Sequence, residues 1–283
     1  MILDGRALSK KIRLELKERV DVLRAQGIVP RLDVIVASQD PASVSYVNMK
    51  RKWAQEAGIE GESFEVDHQT SQAELLDKIE SLNANPAVHG VLLQHPLPSH
   101  LDEGAAWEAL GTKKDVDGIT PSSLGLLASD FPGFRCATPL GIMKMLKEYG
   151  VVIEGKRAVV IGRSVIVGKP MALLLLQANA TVTIANYRTT DLPALCREAD
   201  ILVAAVGKPE MVTADYIKPG AVVVDAGYSR VEGRKFDVGD VDFERVEPLA
   251  SWITPVPGGV GPMTVATLLS NTVDAAEAAL ARG

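Results

Sequence analysis

The chain has 283 residues, 47% of them hydrophobic, enough for about two domains of ordinary size with real cores. A net charge of −6 with no basic block argues against nucleic acid or an anionic membrane surface as the main partner. Cys136 and Cys196 are too few for a disulfide framework or a metal cage, so both are expected as reduced packing residues of a cytoplasmic protein.

No run approaches the roughly 20 apolar residues of a membrane span. Residues 1–5 show no charged-then-apolar signal pattern. The first helix is expected over 6–26, with an apolar stripe of Leu8, Ile12, Leu16, Val20 and Leu23 and a stop at Gly27. A strand follows at 32–37. Asp40 suits an N-cap and Pro41 a first turn, opening a helix to Ala57. Residues 63–66 form a short strand, and Ser71-Gln-Ala-Glu74 is a capping box for a helix ending near Asn83. A strand over 88–94 runs into His95-Pro96-Leu97-Pro98. The first half thus alternates strand and helix.

Residues 114–124 read as a loop with two carboxylates, and Thr138-Pro139 as the cap of a helix to about Tyr149. A second α/β unit has apolar strands at 158–161, 181–185, 201–205 and 221–225, as expected when both sheet faces are covered. Its helices fall near 168–178, 191–198 and 213–217. Residues 253–263 form a loop whose glycines allow close backbone approach and whose prolines fix its path. A last helix, from about Met263 to Ala281, carries a stripe of Val265, Leu268, Leu269, Val273 and Ala276, which points back to the first domain.

The stretch 158–176 is strand, glycine turn, helix: the layout of a dinucleotide-binding crossover. Gly162 fits the first glycine of G-x-G-x-x-G. Ser164 stands at the second position, and Gly168 comes one residue late.

On a helical wheel, Tyr46, Val47, Lys50, Trp53, Ala54 and Ala57 share one arc of about 120°. Lys50 sits near its middle, on the face of Tyr46. It either snorkels out along its stem or faces a cleft, where desolvation would lower its pKa toward acid/base use. Gln94 ends a buried strand, where parallel sheets bind ligands; it either meets a ligand or stabilises the turn. His95 follows as an acid/base candidate or a solvated residue. Asp115 and Asp117 alternate around Val116, so one can reach a ligand while the other makes structural bonds. A carboxylate suits a cationic group or the paired N–H donors of an aminopyrimidine ring.

Together these pieces resemble the bifunctional methylenetetrahydrofolate dehydrogenase/methenyltetrahydrofolate cyclohydrolase family. The resemblance rests on Tyr46-Val-x-x-Lys50-x-Lys52, Gln94-His-Pro-Leu-Pro98, Lys114-Asp-Val-Asp-Gly118, Gly162-Arg-Ser-x-Ile-Val-Gly-Lys-Pro170 and Pro257-Gly-Gly-Val-Gly-Pro-Met-Thr264. It implies an α/β fold of two α/β domains with a cleft between them, the second a Rossmann-type NAD(P)-binding domain. The expected boundaries are 1–137, completed by 262–283, and 138–261. It further implies NADP as cofactor, a folate substrate and a homodimer.

By the same match, Lys50 is the principal acid/base group, Gln94 assists it, Tyr46 orders the folate and Asp117 holds the pterin. Gly162, Arg163, Ser164, Gly168, Arg188 and Tyr228 would bind cofactor, and Gly258, Gly259 and Pro262 substrate. Three departures stand out: Ala185-Asn-Tyr-Arg-Thr189 in place of Cys-His-Ser-Arg/Lys-Thr, His95 in place of leucine, and Ser123 in place of a frequent asparagine. The segment 185–188 offers no carboxylate for ribose hydroxyls. With Arg163 and Arg188 it points to the 2′-phosphate of NADP. Other readings are a dehydrogenase-only member, a dehydrogenase for another small substrate and a non-catalytic nucleotide sensor.

Overall fold

The computed structural model describes residues 1–37, 41–234 and 236–281, with the backbone alone for 41–47. In order the elements are α1 (Gly5–Ala25), β1 (Leu32–Ala37), α2 (Pro41–Glu56), β2 (Ser63–Val66), α3 (Gln72–Ala84), β3 (Gly90–Leu93), α4 (Glu103–Leu110), α5 (Pro121–Ala128) and α6 (Ala137–Glu148). Then come β4 (Arg157–Ile161), α7 (Gly168–Gln177), β5 (Thr181–Ala185), α8 (Leu192–Cys196), β6 (Ile201–Ala204), a 3-10 turn at Ala214–Tyr216, β7 (Val222–Asp225), α9 (Phe243–Val246), β8 (Trp252–Ile253) and α10 (Val260–Leu280). The chain divides into two compact units.

One unit comprises Lys11–Ala137 and Val265–Gly283. Its sheet is parallel, in the order β2-β1-β3. The alternation of side chains along a strand splits β1 between two cores. Leu32, Val34 and Val36 pack with Leu16, Val20 and Leu23 of α1 and with Val265, Leu268, Leu269, Val273 and Ala276 of α10. Ile35 points the other way, to Val91 and Leu93 of β3 and Leu75, Ile79 and Leu82 of α3. The apolar stripe of the last helix is thus buried against the first strand and first helix. The capping box at Ser71 is formed: its hydroxyl accepts from Glu74 N–H at 3.2 Å, and Glu74 Oε2 accepts from Ser71 N–H at 2.8 Å.

The other unit comprises Met1–Lys10 and Thr138–Thr264. Its sheet is wholly parallel, in the order β5-β4-β6-β7-β8. The apolar strands are covered by residues such as Leu192, Cys196, Ile217 and Val246 on one face.

Three details differ from the sequence reading. Residues 1–10 group with the five-stranded sheet rather than with 11–137. Leu3 N–H donates to the Ile253 carbonyl at 2.9 Å, and Ile253 N–H to Met1 at 3.0 Å, adding the chain start beyond β8. Thr138 lies inside the first turn of α6 instead of capping it, and its hydroxyl pairs with that of Thr264 at 2.9 Å. The sequence reading assigns no element to α4, α9 or Trp252 of β8, and α5 begins inside the stretch 114–124 that it reads as a loop. Asp40, the expected cap of α2, lies outside the described residues.

Candidate active site

In the three-stranded unit, the part of α2 whose side chains are described, from residue 48 on, presents the face expected from the wheel; the side chains of Tyr46 and Val47 lie outside the described residues. Ala54 and Ala57 are buried, Trp53 packs on the core, and Asn48, Arg51, Lys52, Gln55 and Glu56 are exposed. Lys50 is only 4% exposed, so it does not snorkel out to solvent. Its Nζ donates to Gln94 Oε1 at 2.9 Å. Burial pushes the ammonium down to about 8, and the charge of Asp117 opposes that shift.

Gln94 directly follows β3. Its N–H donates to the Ile35 carbonyl at 2.8 Å, and its Nε2 to the His95 carbonyl at 3.0 Å. The second bond turns the amide so that its oxygen meets the lysine. The side chain of Tyr46 lies outside the described residues, although its backbone belongs to α2.

The two carboxylates of the 114–118 segment divide as their alternation allows. Asp115 is fully buried and structural. It accepts from Ile119 N–H at 3.2 Å, Thr120 N–H at 3.0 Å and the Ser123 hydroxyl at 2.6 Å. Ser123 thus anchors the loop. Asp117 makes none of these bonds. Burial raises its carboxyl pKa, Lys50 pulls it back down, and Asp115 adds to the rise. Asn271 of α10 fixes the turn from below, donating to the Val116 carbonyl at 2.7 Å. At Gly118, φ is +66°, and a Cβ there would overlap the Arg135 backbone.

His95 is held elsewhere. Its Nδ1 meets Glu103 Oε2 at 2.8 Å, and Glu103 also accepts from Leu97 N–H at 3.0 Å, closing the Pro-Leu-Pro turn onto α4.

In the five-stranded unit, β4 ends at a cradle that tolerates no side chain. Gly162 has φ +149°, and a Cβ there would overlap the Ala205 carbonyl. A Cβ on Gly168 would overlap the Gly162 carbonyl. The late glycine therefore serves the close packing of helix on strand. Ser164 lends its hydroxyl to the helix start, accepting from Val167 N–H at 3.1 Å and Gly168 N–H at 3.3 Å. Arg163 is exposed on this loop. Arg188 is exposed beyond β5, and its Nε donates to the Tyr187 hydroxyl at 3.2 Å.

Tyr228, 65% exposed, donates its hydroxyl to Asp237 at 2.6 Å. The Gly258 carbonyl accepts from Arg6 N–H at 2.9 Å, Gly259 N–H donates to Pro255 at 2.8 Å, and Pro262 lies in the first turn of α10. Cys196 is buried and its thiol is pushed up to about 12, so it is an inert packing group, and neither cysteine forms a disulfide.

Sequence reasoning missed a pair of buried carboxylates under these loops. Asp225, at the end of β7, accepts from Gly227, Asp240 and Val241 N–H, each at 2.9 Å. Burial pushes it up to about 7 against those donors. Asp240 accepts from Val206, Gly207 and Lys208 N–H at 2.5, 3.0 and 2.8 Å. The available signal was an aspartate closing an otherwise apolar strand. Among the described residues, no cluster of three or more His, Cys, Asp or Glu is placed to hold a metal ion, and no helix is long and apolar enough to cross a membrane.

Comparison with known proteins covers nearly the whole chain. Residues 3–117 match the tetrahydrofolate dehydrogenase/cyclohydrolase catalytic domain, and residues 136–280 its NAD(P)-binding domain. The Bifunctional protein FolD of Moorella thermoacetica is 53% identical over 275 residues, covering 97% of this chain and 98% of that protein. The bifunctional FolD structure from Campylobacter jejuni has a TM-score of 0.96 at 46% identity, covering 98% of this chain and 99% of that one. The Trypanosoma brucei FolD structure, complexed with NADP cofactor and inhibitor, has a TM-score of 0.93 at 38% identity, covering 99% and 98%.

Proposed function

Since the chain belongs to the tetrahydrofolate dehydrogenase/cyclohydrolase family and carries both of its activities, we propose that Lys50 is the acid/base group of the hydration step. Gln94 holds it in place, Asp117 binds the pterin ring and Tyr46 orders the folate. The observation that carries this reading is the buried Lys50 Nζ, 2.9 Å from Gln94, with its pKa lowered to about 8. A lysine at its ordinary pKa would be almost wholly charged at neutral pH and a poor proton acceptor.

The substrate is 5,10-methylenetetrahydrofolate, which is oxidised to the methenyl form and then hydrated to 10-formyltetrahydrofolate. In the hydration, neutral Lys50 takes a proton as water adds to the methenyl carbon. Protonated Lys50 delivers a proton to the pterin-side nitrogen as its bond to that carbon breaks. The hydroxyl proton of the adduct leaves to solvent. Gln94, fixed by its own bond to the His95 carbonyl, keeps the lysine aimed through both transfers.

The glycine cradle fits NADP: Gly162 and Gly168 leave room only for backbone at the start of α7, where the positive end of the helix dipole suits a pyrophosphate. Gly162, Arg163, Ser164, Gly168, Arg188 and Tyr228 would hold the cofactor, with Arg163 and Arg188 toward its 2′-phosphate. When bound, the nicotinamide supplies the hydride acceptor for the oxidation. Gly258, Gly259 and Pro262 would offer backbone to the substrate.

The chain is further read as a cytoplasmic homodimer. β5 is the open edge of its sheet and leaves Ile184 half exposed, a surface suited to a second copy. Light scattering tests the dimer. Parallel assay of NADPH and of methenyl product tests the two-step reading: a dehydrogenase-only chain stops at the methenyl compound, and a sensor turns over neither.

A further inference from the structure

Beyond the arginines, the end of β6 carries a group with a place in cofactor choice. We propose that Lys208 and Tyr187 are specificity-determining residues that, with Arg188, close over the adenosine end of the cofactor and select its 2′-phosphate. This rests on the reading that the Gly162–Gly168 loop holds NADP.

In the order β5-β4-β6, the ends of β5 and β6 flank the strand that carries the cradle. Dinucleotides lie across the carboxyl ends of such strands, with the adenosine toward the second strand. Tyr187 stands just beyond β5 and Lys208 just beyond β6. The two nonetheless meet: Lys208 Nζ lies 4.3 Å from the centroid of the Tyr187 ring. The Arg188 guanidinium lies 5.5 Å from the same ring, and its Nε donates to the ring hydroxyl. One half-exposed aromatic ring therefore gathers two cations from loops on either side of the cradle. Among the described residues, neither cation is in a salt bridge with a carboxylate.

The base beneath Lys208 is rigid, unlike that of an ordinary surface lysine. The buried Asp240 carboxylate accepts from the N–H groups of Val206, Gly207 and Lys208. Asp240 is itself held by Asp225, and a Cβ on Gly227 would overlap its carboxylate. The chemistry of the group suits a phosphate monoester on a ribose. Arg188 offers a planar fork and Lys208 a compact charge, and the ring offers a flat face for a base. At an exposed site a cation–π contact is weak enough to be exchanged for phosphate oxygens.

The test is calorimetric titration of the full chain with adenosine 2′,5′-bisphosphate and with adenosine 5′-monophosphate, which differ only in the 2′-phosphate. Lys208→Met should weaken the bisphosphate about tenfold, the size of one charge-assisted hydrogen bond, and leave the monophosphate within about twofold. Lys208→Arg should restore binding. Tyr187→Ala should weaken both nucleotides, and Tyr187→Phe should keep most of the affinity. In turnover, Lys208→Met should act on KM for NADP rather than on kcat. Melting curves establish that each variant is folded. Equal effects of Lys208→Met on both nucleotides, or no effect on either, overturn the assignment. A native chain that binds both nucleotides alike overturns the NADP reading itself, and this proposal with it.

Discussion

Lys50 donates to Oε1 of Gln94 at 2.9 Å although 44 residues separate them. The pair joins a helix face to a strand end, and burial there lowers the lysine pKa to about 8. The neutral amine is the form that accepts a proton from water. Enzyme-catalysed hydration should therefore rise with pH through about 8 and level off above it. The kcat/KM profile for methenyltetrahydrofolate, after subtraction of the uncatalysed rate, reads this directly. A profile flat from acid pH upward removes Lys50 as the base.

The same lowered pKa has a consequence for stability. Folding drops the lysine pKa from 10.5 to about 8, so the unfolded chain binds more protons between those values. Stability then rises with pH across that window, and below it the buried amine carries its full cost. Removing the charge should relieve a cost of up to ~3 kcal/mol at neutral pH. Lys50→Met should accordingly raise the denaturation midpoint at pH 7, with the gain fading as pH approaches 10.5. Urea unfolding at the two pH values measures it, and a destabilised variant at pH 7 contradicts it.

Cofactor choice is expected to follow the cations around the cradle. Arg163 and Arg188 are exposed beside it, and the end of β5 carries no carboxylate to favour ribose hydroxyls. The native enzyme should prefer NADP, and Arg163→Ala should weaken NADP far more than NAD. Steady-state kinetics with both cofactors decides. Equal kcat/KM for the two in the native enzyme contradicts the assignment.

Ser123 is expected to act through Asp115. Its hydroxyl donates to the buried carboxylate at 2.6 Å, so Ser123→Ala strips one donor from a charge that cannot reach water. The loss should be ~1–3 kcal/mol, seen as a lower melting temperature. Because Asp115 and Asp117 share one turn, KM for folate should rise as well. Ser123→Asn, with an amide donor, should recover part of both. Unchanged melting in the alanine variant sinks this role.

Much of this was legible in the sequence because the signals were local. The β-branched runs gave β1, β4 and β5 nearly to the residue, and Ser71 with Glu74 marked the start of α3. The wheel placed Lys50 among apolar neighbours, and the strand-end rule brought in Gln94. The alternation of Asp115 and Asp117 anticipated that one of the two would make structural bonds, without saying which. What escaped depends on contacts distant in sequence. Residues 1–10 join the far sheet through backbone pairs with Ile253 that leave no side-chain pattern. Asp225 and Asp240 bind backbone N–H groups up to 34 residues away, so neither belongs to a recognisable motif. The helices α4 and α5 have eight residues each, too short for a periodic stripe to show.

The most direct test of the central role of Lys50 is the pair of initial rates in the Lys50→Met variant, measured in parallel with a melting curve. Hydride transfer chiefly needs the two rings aligned, whereas hydration needs protons moved. Hydration should fall beyond the ~10²–10⁴-fold that acid/base catalysis typically supplies. Dehydrogenase activity should survive in larger part, so that methenyltetrahydrofolate accumulates. Retained hydration with unchanged melting would take Lys50 out of the mechanism.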